Sequence, residues 1–257
     1  IADGGARYGT EGRGGNYRDL GRPASPMAHP TQCQIVEKCR SAADFQQFAK
    51  QDEGQHKLRH DAQHEAALAG VTQILVTHGH FDHTQDLKMV AEKTGAPVAG
   101  MVELMGYFSA QGVENTTGFN KGGTIRCGKV NVTMVPASHS SSVDGDAGPV
   151  YMGAEIGFMI KGEGRTIYVS GDTDIMADMD WMGDYHKPDI GILSAGGHFT
   201  MDMAGAAYAA KRYFDFKTVI PCHYRTFDAL EQSAQVLIDG LPGVDVIEPE
   251  VLKPISL

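Results

Sequence analysis

Apolar positions along this chain fall into two regimes that meet near residue 70. Residues 1–70 hold nine Val, Ile, Leu, Met or Phe side chains and residues 71–257 hold 57, more than twice the density. The opening segment, 1–30, is rich in Gly, Arg and Pro, has little to bury, and reads as a flexible or irregular arm. Residues 41–69, starting at Ser41 and rich in Ala, Gln and charge, read as helix with a break near Gly54. From residue 71 onward, short apolar strands alternate with helices. Residues 71–77 predict a strand, 84–93 a helix closed by Gly95, and 97–101 the next strand. Alternation of Val130, Val132 and Met134 marks a hairpin of 124–127 and 129–135 turned at Gly128. A second hairpin, 156–161 with 166–170, turns at 162–164. Further strands are expected at 190–194, 218–221 and 244–247, with helices at 202–214, capped by Thr200, and at 228–241. Hairpins first and β-α alternation later predict layered sheets covered by helices, not one doubly wound sheet.

Length and charge narrow the class. The 257 residues are ample for a buried core. Lys+Arg number 22 against 32 Asp+Glu, a formal charge of −10, and because 1–70 is neutral the whole excess lies in 71–257. Nucleic acid, which needs a basic stripe, is therefore not an expected partner. No apolar run approaches the roughly 20 residues of a membrane span. Neither a charged-then-apolar leader nor a disulfide framework is visible, since Cys33, Cys39, Cys127 and Cys222 form no CxxC pair. Reduced thiols and a cytoplasmic location are the expectation, with association into a homo-oligomer left open.

The densest chemistry is His78-Gly79-His80-Phe81-Asp82-His83, directly after the apolar run 74–76. Three imidazoles and a carboxylate within six residues are hard to reconcile with packing, and these groups are ligands for Zn, Fe and Mn. Gly79 is expected to let the chain turn tightly, so that neighbouring side chains need not alternate to opposite faces. His78 and His80 can then serve one ion while Asp82 and His83 serve a second. Three more candidates each follow an apolar strand: His139 in SHSSS, Asp172 in SGDTDI, and His223 before Tyr224. Singly, each reads as a cap or turn residue. Together, after a histidine cluster, they point to ligands presented along one edge. Other groupings take plainer readings. His56, His60 and His64 share a helix face with Lys57, Arg59, Asp61 and Glu65 around it, which reads as a solvated surface. Met176, Met179, Trp181 and Met182 read as core or pocket lining, and Cys222 as a core residue.

The order HGHFDH, His139, Asp172, His223 resembles the metallo-β-lactamase-fold superfamily, with its HxHxDH motif and later His, Asp and His. THGHFDH, SHSSS, SGDTDI, GGHFTM at 196–201 and IPCHYRTF extend the resemblance over about residues 68–250. They narrow it to the small bacterial metal-dependent hydrolase branch, relatives of ascorbate-phosphate lactonase. The resemblance implies an α/β (α+β) fold, a four-layer αββα sandwich with the site at one edge of the facing sheets, in a single domain over 1–257. It also implies that His78, His80 and His139 bind one metal and Asp82, His83 and His223 the other, with Asp172 bridging. The cofactors implied are two divalent metal ions, zinc first, with Mn, Fe or Ni as alternatives. Members of the branch open with an apolar strand carrying Gly-His, a second strand ending in Asp-Pro, and a Gly-Asn-Pro loop. Residues 1–70 contain no Asp-Pro and no such strands, so this segment is atypical and 71–257 is the recognisable core.

Two dications among five imidazoles and two carboxylates make a net positive centre, which lowers the pKa of bound water from about 15.7 toward about 7. The chemistry expected is hydrolysis of a small-molecule ester, lactone or phosphoester by a metal-bridging hydroxide. Asp82 is expected to orient that hydroxide, His198 to protonate the leaving group, and Tyr224 to contact the substrate. Ser140, Ser141 and Ser142 are expected to shape the His139 loop by hydrogen bonds rather than act as nucleophiles. Alternatives with the same ligand set are an iron-dependent dioxygenase and a phosphodiesterase or ribonuclease. The acidic charge weighs against the nuclease, and His80, where oxygen-reducing relatives place Glu, against an oxygen reductase. A non-catalytic binding protein conflicts with the complete ligand set.

Overall fold

A computed structural model of the chain describes residues 36–37, 66–226, 228–250, 253 and 255–256. The arm expected over 1–30, His56, His60, His64, and all but 66–69 of the helix expected over 41–69 lie outside the described residues.

In chain order the elements are β1 (Val36–Glu37), β2 (Gln73–Val76), α1 (Phe81–Thr84), α2 (Leu87–Thr94), β3 (Val98–Met101), α3 (Val102–Ala110) and β4 (Thr116–Phe119). There follow β5 (Thr124–Cys127), β6 (Val130–Pro136), β7 (Ser142–Gly145), β8 (Gly148–Tyr151), β9 (Ile156–Gly162) and β10 (Arg165–Val169). The last are α4 (Met179–His186), β11 (Ile190–Ser194), α5 (Met203–Tyr213), β12 (Thr218–Cys222), α6 (Gln235–Gly240) and β13 (Asp245–Val246). One sheet has the order β1-β2-β3-β4 and the other β13-β12-β11-β10-β9-β6-β5, while β7 and β8 form a separate hairpin. Strands β2, β3 and β4 run parallel with helical crossovers, as do β10 to β13. The two hairpins predicted from alternation are the antiparallel pairs β5–β6 and β9–β10.

The second sheet is buried on both faces, and successive residues divide between two cores. Phe158 and Ile160 of β9, Ile167 and Val169 of β10, and Ile192 of β11 join the core shared with β2, β3, α2 and α3. Met159, Tyr168, Leu193 and Val219 point the other way, into a core built with Met179 and Met182 of α4, the alanines of α5 and Leu237 of α6. This period-2 division explains why the strands read as continuous apolar runs. It also produces the expected αββα layering, with burial worth about 1.5–3 kcal/mol for each large side chain removed from water.

Several elements differ from expectation. The helix predicted over 84–93 is two: α1 ends at Thr84, and α2 restarts after Asp86 and closes on Gly95 in the left-handed region at φ 65°. The helix predicted over 228–241 shrinks to α6, because 228–234 is held by contacts outside itself, Glu231 N–H donating to the Gly196 carbonyl at 2.9 Å. Thr200 does not cap α5. Its Oγ1 accepts from Gly196 N–H at 3.1 Å, and Asp202 is the cap, accepting from Gly205 N–H at 2.6 Å. Asp202→Ala should therefore lower stability by about 1 kcal/mol, read as a Tm about 2–4 °C lower in a thermal melt. An unchanged Tm would reassign the cap.

Candidate metal centre

Strand β2 delivers Thr77 and His78 to the edge of the first sheet, where both are buried. Gly79 keeps a negative φ, so the tight turn expected of it is not its reason for being glycine. The reason is close approach: a Cβ there would lie 3.0 Å from the Ser142 carbonyl oxygen. Gly79 N–H also donates to Ser141 Oγ at 3.1 Å. The Thr84 hydroxyl reaches back to the Gly79 and His80 carbonyls at 3.1 and 3.0 Å, tying α1 to this turn and placing Asp82 and His83 beside His78 and His80.

Each later candidate is presented by a strand end. His139 follows β6, and its N–H donates to Glu155 Oε1 at 3.2 Å. Asp172 follows β10 and is buried. Gly171, at φ 60°, is crowded by the Ile156 carbonyl, 2.5 Å from where a Cβ would sit. His223 follows β12 with φ 62° and Arg225 has φ 67°, a left-handed backbone that non-glycine residues adopt at a cost of about 1–3 kcal/mol. The serines bridge loops: Ser141 holds Gly79, and Ser140 Oγ lies 3.2 Å from His80 Nε2.

The structure brings all seven predicted ligands together. His78, His80 and His139 form one group able to hold an ion, and Asp82, His83, Asp172 and His223 a second. His78 Nε2 and His80 Nδ1 converge to 3.1 Å. Asp172 Oδ2 stands between the groups, 3.9 and 3.8 Å from the Nε2 atoms of His78 and His139 and 3.3 and 3.0 Å from those of His83 and His223. Asp82 Oδ2 lies 3.4 and 3.5 Å from His83 and His223 Nε2. Five imidazoles and two carboxylates aimed inward, four of the seven buried, fit a pair of divalent cations. Outside the groups, Thr77 Oγ1 pairs with His78 Nδ1 at 3.0 Å, the kind of outer partner that fixes a ligand's tautomer.

Charge divides the groups. Burial, reinforced for His78 by the imidazolium field of His83, lowers the pKa of His78, His80 and His139. Burial opposes the charge of His83 and His223 as well, but Asp172 and then Asp82 override it and raise them to about 9 and about 10. The metal-free second group thus holds protons near neutral pH that a cation must displace. Zinc uptake at pH 7 is expected to release one to two protons from the weakly buffered protein, and affinity to fall as pH drops. A dye-monitored titration showing no proton release would remove this expectation.

Two residues with predicted catalytic roles lie differently. Tyr224 is buried, and its hydroxyl donates to Glu248 Oε2 at 3.1 Å while Arg225 stacks on its ring 4.9 Å from the centroid, so it braces the loop after His223. His198 is exposed, edge-on to Phe199 at 4.5 Å, on a loop whose Gly196 packs against His223. Met179 and Met182 are core, as expected, whereas Trp181 is 42% exposed. Sequence reading missed Glu155, Thr77 and the β7–β8 hairpin, whose short polar runs carry no periodic signal.

A layered sandwich that collects five histidines and two aspartates at its strand ends defines a metallo-β-lactamase-fold metalloprotein. Residues 44–224 match the Beta-lactamase superfamily domain. A "UPF0173 metal-dependent hydrolase" of Ruegeria sp. (strain TM1040) is 63% identical over 197 residues, 77% of this chain and 86% of that protein. Among solved structures, Igni18, a metallo hydrolase from the archaeon Ignicoccus hospitalis, is 28% identical with a TM-score of 0.59, covering 72% of this chain and 77% of its own. The metallo-beta-lactamase fold protein YhfI from Bacillus subtilis, at 13% identity and TM-score 0.55 over 72% of this chain and 76% of its own, shares the fold. The chain belongs to the beta-lactamase superfamily and, within it, to the UPF0173 metal-dependent hydrolase family.

Proposed function

We propose that this protein is a metal-dependent hydrolase that cleaves a small-molecule ester, lactone or phosphoester at a two-cation centre. The observation that carries the reading is Asp172, one buried carboxylate oxygen within 3.0–3.9 Å of four imidazole nitrogens drawn from both ligand groups. His78, His80 and His139 would hold one cation, Asp82, His83 and His223 the other, and Asp172 would serve both. When bound, such a pair, zinc first, acidifies water to near-neutral pKa and polarises the acyl or phosphoryl oxygen. Asp82, on the first turn of α1, would fix the direction of the attacking water as well as hold a cation. His198, exposed on the loop whose Gly196 packs against His223, returns a proton to the leaving oxygen. Tyr224 holds the His223 loop in place. No Ser or Cys nucleophile is required, in line with Cys222, whose thiol burial pushes far above its ordinary pKa.

The test joins metal content to turnover. Elemental analysis and anomalous scattering on the protein as purified should find two divalent ions per chain. An ester, lactone and phosphoester panel should show hydrolysis that a chelator removes and zinc restores. Iron alone, with oxygen consumed and no hydrolysis, would replace this reading with a dioxygenase.

A further inference from the structure

We propose that the substrate is an uncharged carboxylic ester or lactone bearing an apolar chain, and not a phosphoester or other anion; this rests on the hydrolase reading above. The loops around the metal centre, not its ligands, set the charge and apolar surface that an incoming substrate meets.

Those loops are 77–86, 137–155, 170–178, 195–202 and 223–234. Besides Asp82 and Asp172 they carry nine Asp or Glu, and a single Lys or Arg, Arg225. That guanidinium is already committed. It ion-pairs with Glu248 through Nη2, donates from Nε to the Gln232 carbonyl at 3.2 Å, and covers the Tyr224 ring. The helix starts that these loops feed each carry a carboxylate, Asp86 before α2, Asp178 before α4 and Asp202 before α5. Asp202 fills the start of α5 with its own carboxylate and takes the Gly205 N–H. Apart from the cation pair itself, an incoming phosphate would therefore meet no free Lys or Arg among the described residues of these loops, only acidic neighbours, whereas phosphate sites commonly add Arg, Lys or an open helix start.

The same loops present apolar surface. Phe81, 42% exposed, sits between the ligands His80 and Asp82; Phe199, 53% exposed, follows His198 on the loop packed against His223. Val150 and Tyr151, 46% and 69% exposed, lie on β8, whose partner β7 begins at Ser142 against Gly79. Exposed large apolar groups on three separate segments beside the centre suit a chain that lies across its mouth. In the reaction, water adds to the acyl carbon, the acyl C–O bond breaks, and its oxygen leaves with a proton as the alcohol while the acyl part becomes the carboxylic acid.

The experiment uses the full-length, zinc-loaded protein with p-nitrophenyl acetate, butyrate and octanoate beside p-nitrophenyl phosphate and bis(p-nitrophenyl) phosphate. Carboxylic esters should exceed both phosphoesters in kcat/KM by at least about 10²-fold, and KM should fall about two- to fourfold per added methylene until the rim is covered. Tyr151→Ser and Phe199→Ser should raise KM for octanoate more than for acetate, with kcat little changed. Calorimetry supplies a readout independent of turnover: 2-octanone should bind at least tenfold more tightly than phenylphosphonate. Faster phosphodiester than ester cleavage would overturn the substrate class and leave the hydrolase reading standing. Absence of all turnover would count against the hydrolase reading, and the calorimetric order would still judge the rim: tighter phenylphosphonate binding overturns the inference.

Discussion

Asp172→Asn is expected to remove most bound metal and to cut turnover on the order of 10²–10⁴-fold. The substitution keeps size and shape, so its effect isolates charge. In the native protein one oxygen of Asp172 faces four imidazole nitrogens at 3.0–3.9 Å, and His83 and His223 owe their raised pKa first to this carboxylate overriding burial. Replacing the carboxylate by an amide leaves buried positive charge, whether proton or metal, without its counter-ion. Breaking a buried pair in this way costs about 3–5 kcal/mol, and each 1.36 kcal/mol or so is tenfold in rate or affinity. Elemental analysis should report less than one ion per chain, with ester turnover falling in parallel. Wild-type metal content together with wild-type turnover would show that Asp172 does not join the two groups.

The cluster of seven His and Asp side chains was legible because these residue types are rare in such density and because His78, His139, Asp172 and His223 each follow a strand whose apolar character is itself legible. The second sheet was legible for a related reason. Its strands are buried on both faces, so Phe158, Met159 and Ile160, then Ile167, Tyr168 and Val169, then Ile192 and Leu193 form unbroken apolar runs. What failed was set by contacts distant in sequence. Thr200 looks like a cap, but its hydroxyl is taken by Gly196 N–H, leaving Asp202 to cap α5. Residues 228–234 have a helical pattern, yet the sheet edge claims their backbone through the Glu231–Gly196 bond at 2.9 Å. The β7–β8 hairpin and β4 are short, mostly polar and half exposed, so no hydrophobic period marks them. Tyr224 illustrates the limit for a site residue: adjacency to His223 says nothing of where the ring turns, and Glu248, 24 positions later, decides it.

Gly196→Ala should be nearly as damaging as the loss of a ligand, although residue 196 touches no metal. Here the chain after β11 stays against β12 and the loop beyond it, Ala195 N–H donating to the Cys222 carbonyl at 3.0 Å and Glu231 N–H to the Gly196 carbonyl at 2.9 Å. A Cβ on residue 196 would lie 2.0 Å from the His223 carbonyl oxygen and 3.0 Å from its Nδ1. Backbone against backbone offers no rotamer to relieve this, so His223 must move by roughly an ångström, a misplacement worth about 10²-fold in rate. His223 has little freedom to yield, since its φ of 62° is already in the sparsely allowed left-handed region. The neighbouring Gly197→Ala separates the causes. Gly197 has φ 85° but its nearest neighbour to a new Cβ is 3.5 Å away, so it carries only the left-handed penalty, about 1–2 kcal/mol. Gly196→Ala should therefore lose turnover and one bound ion, while Gly197→Ala loses a few degrees of Tm and keeps both ions. Equal behaviour of the two variants, or full metal content in Gly196→Ala, would show that the close approach of these strands does not position His223.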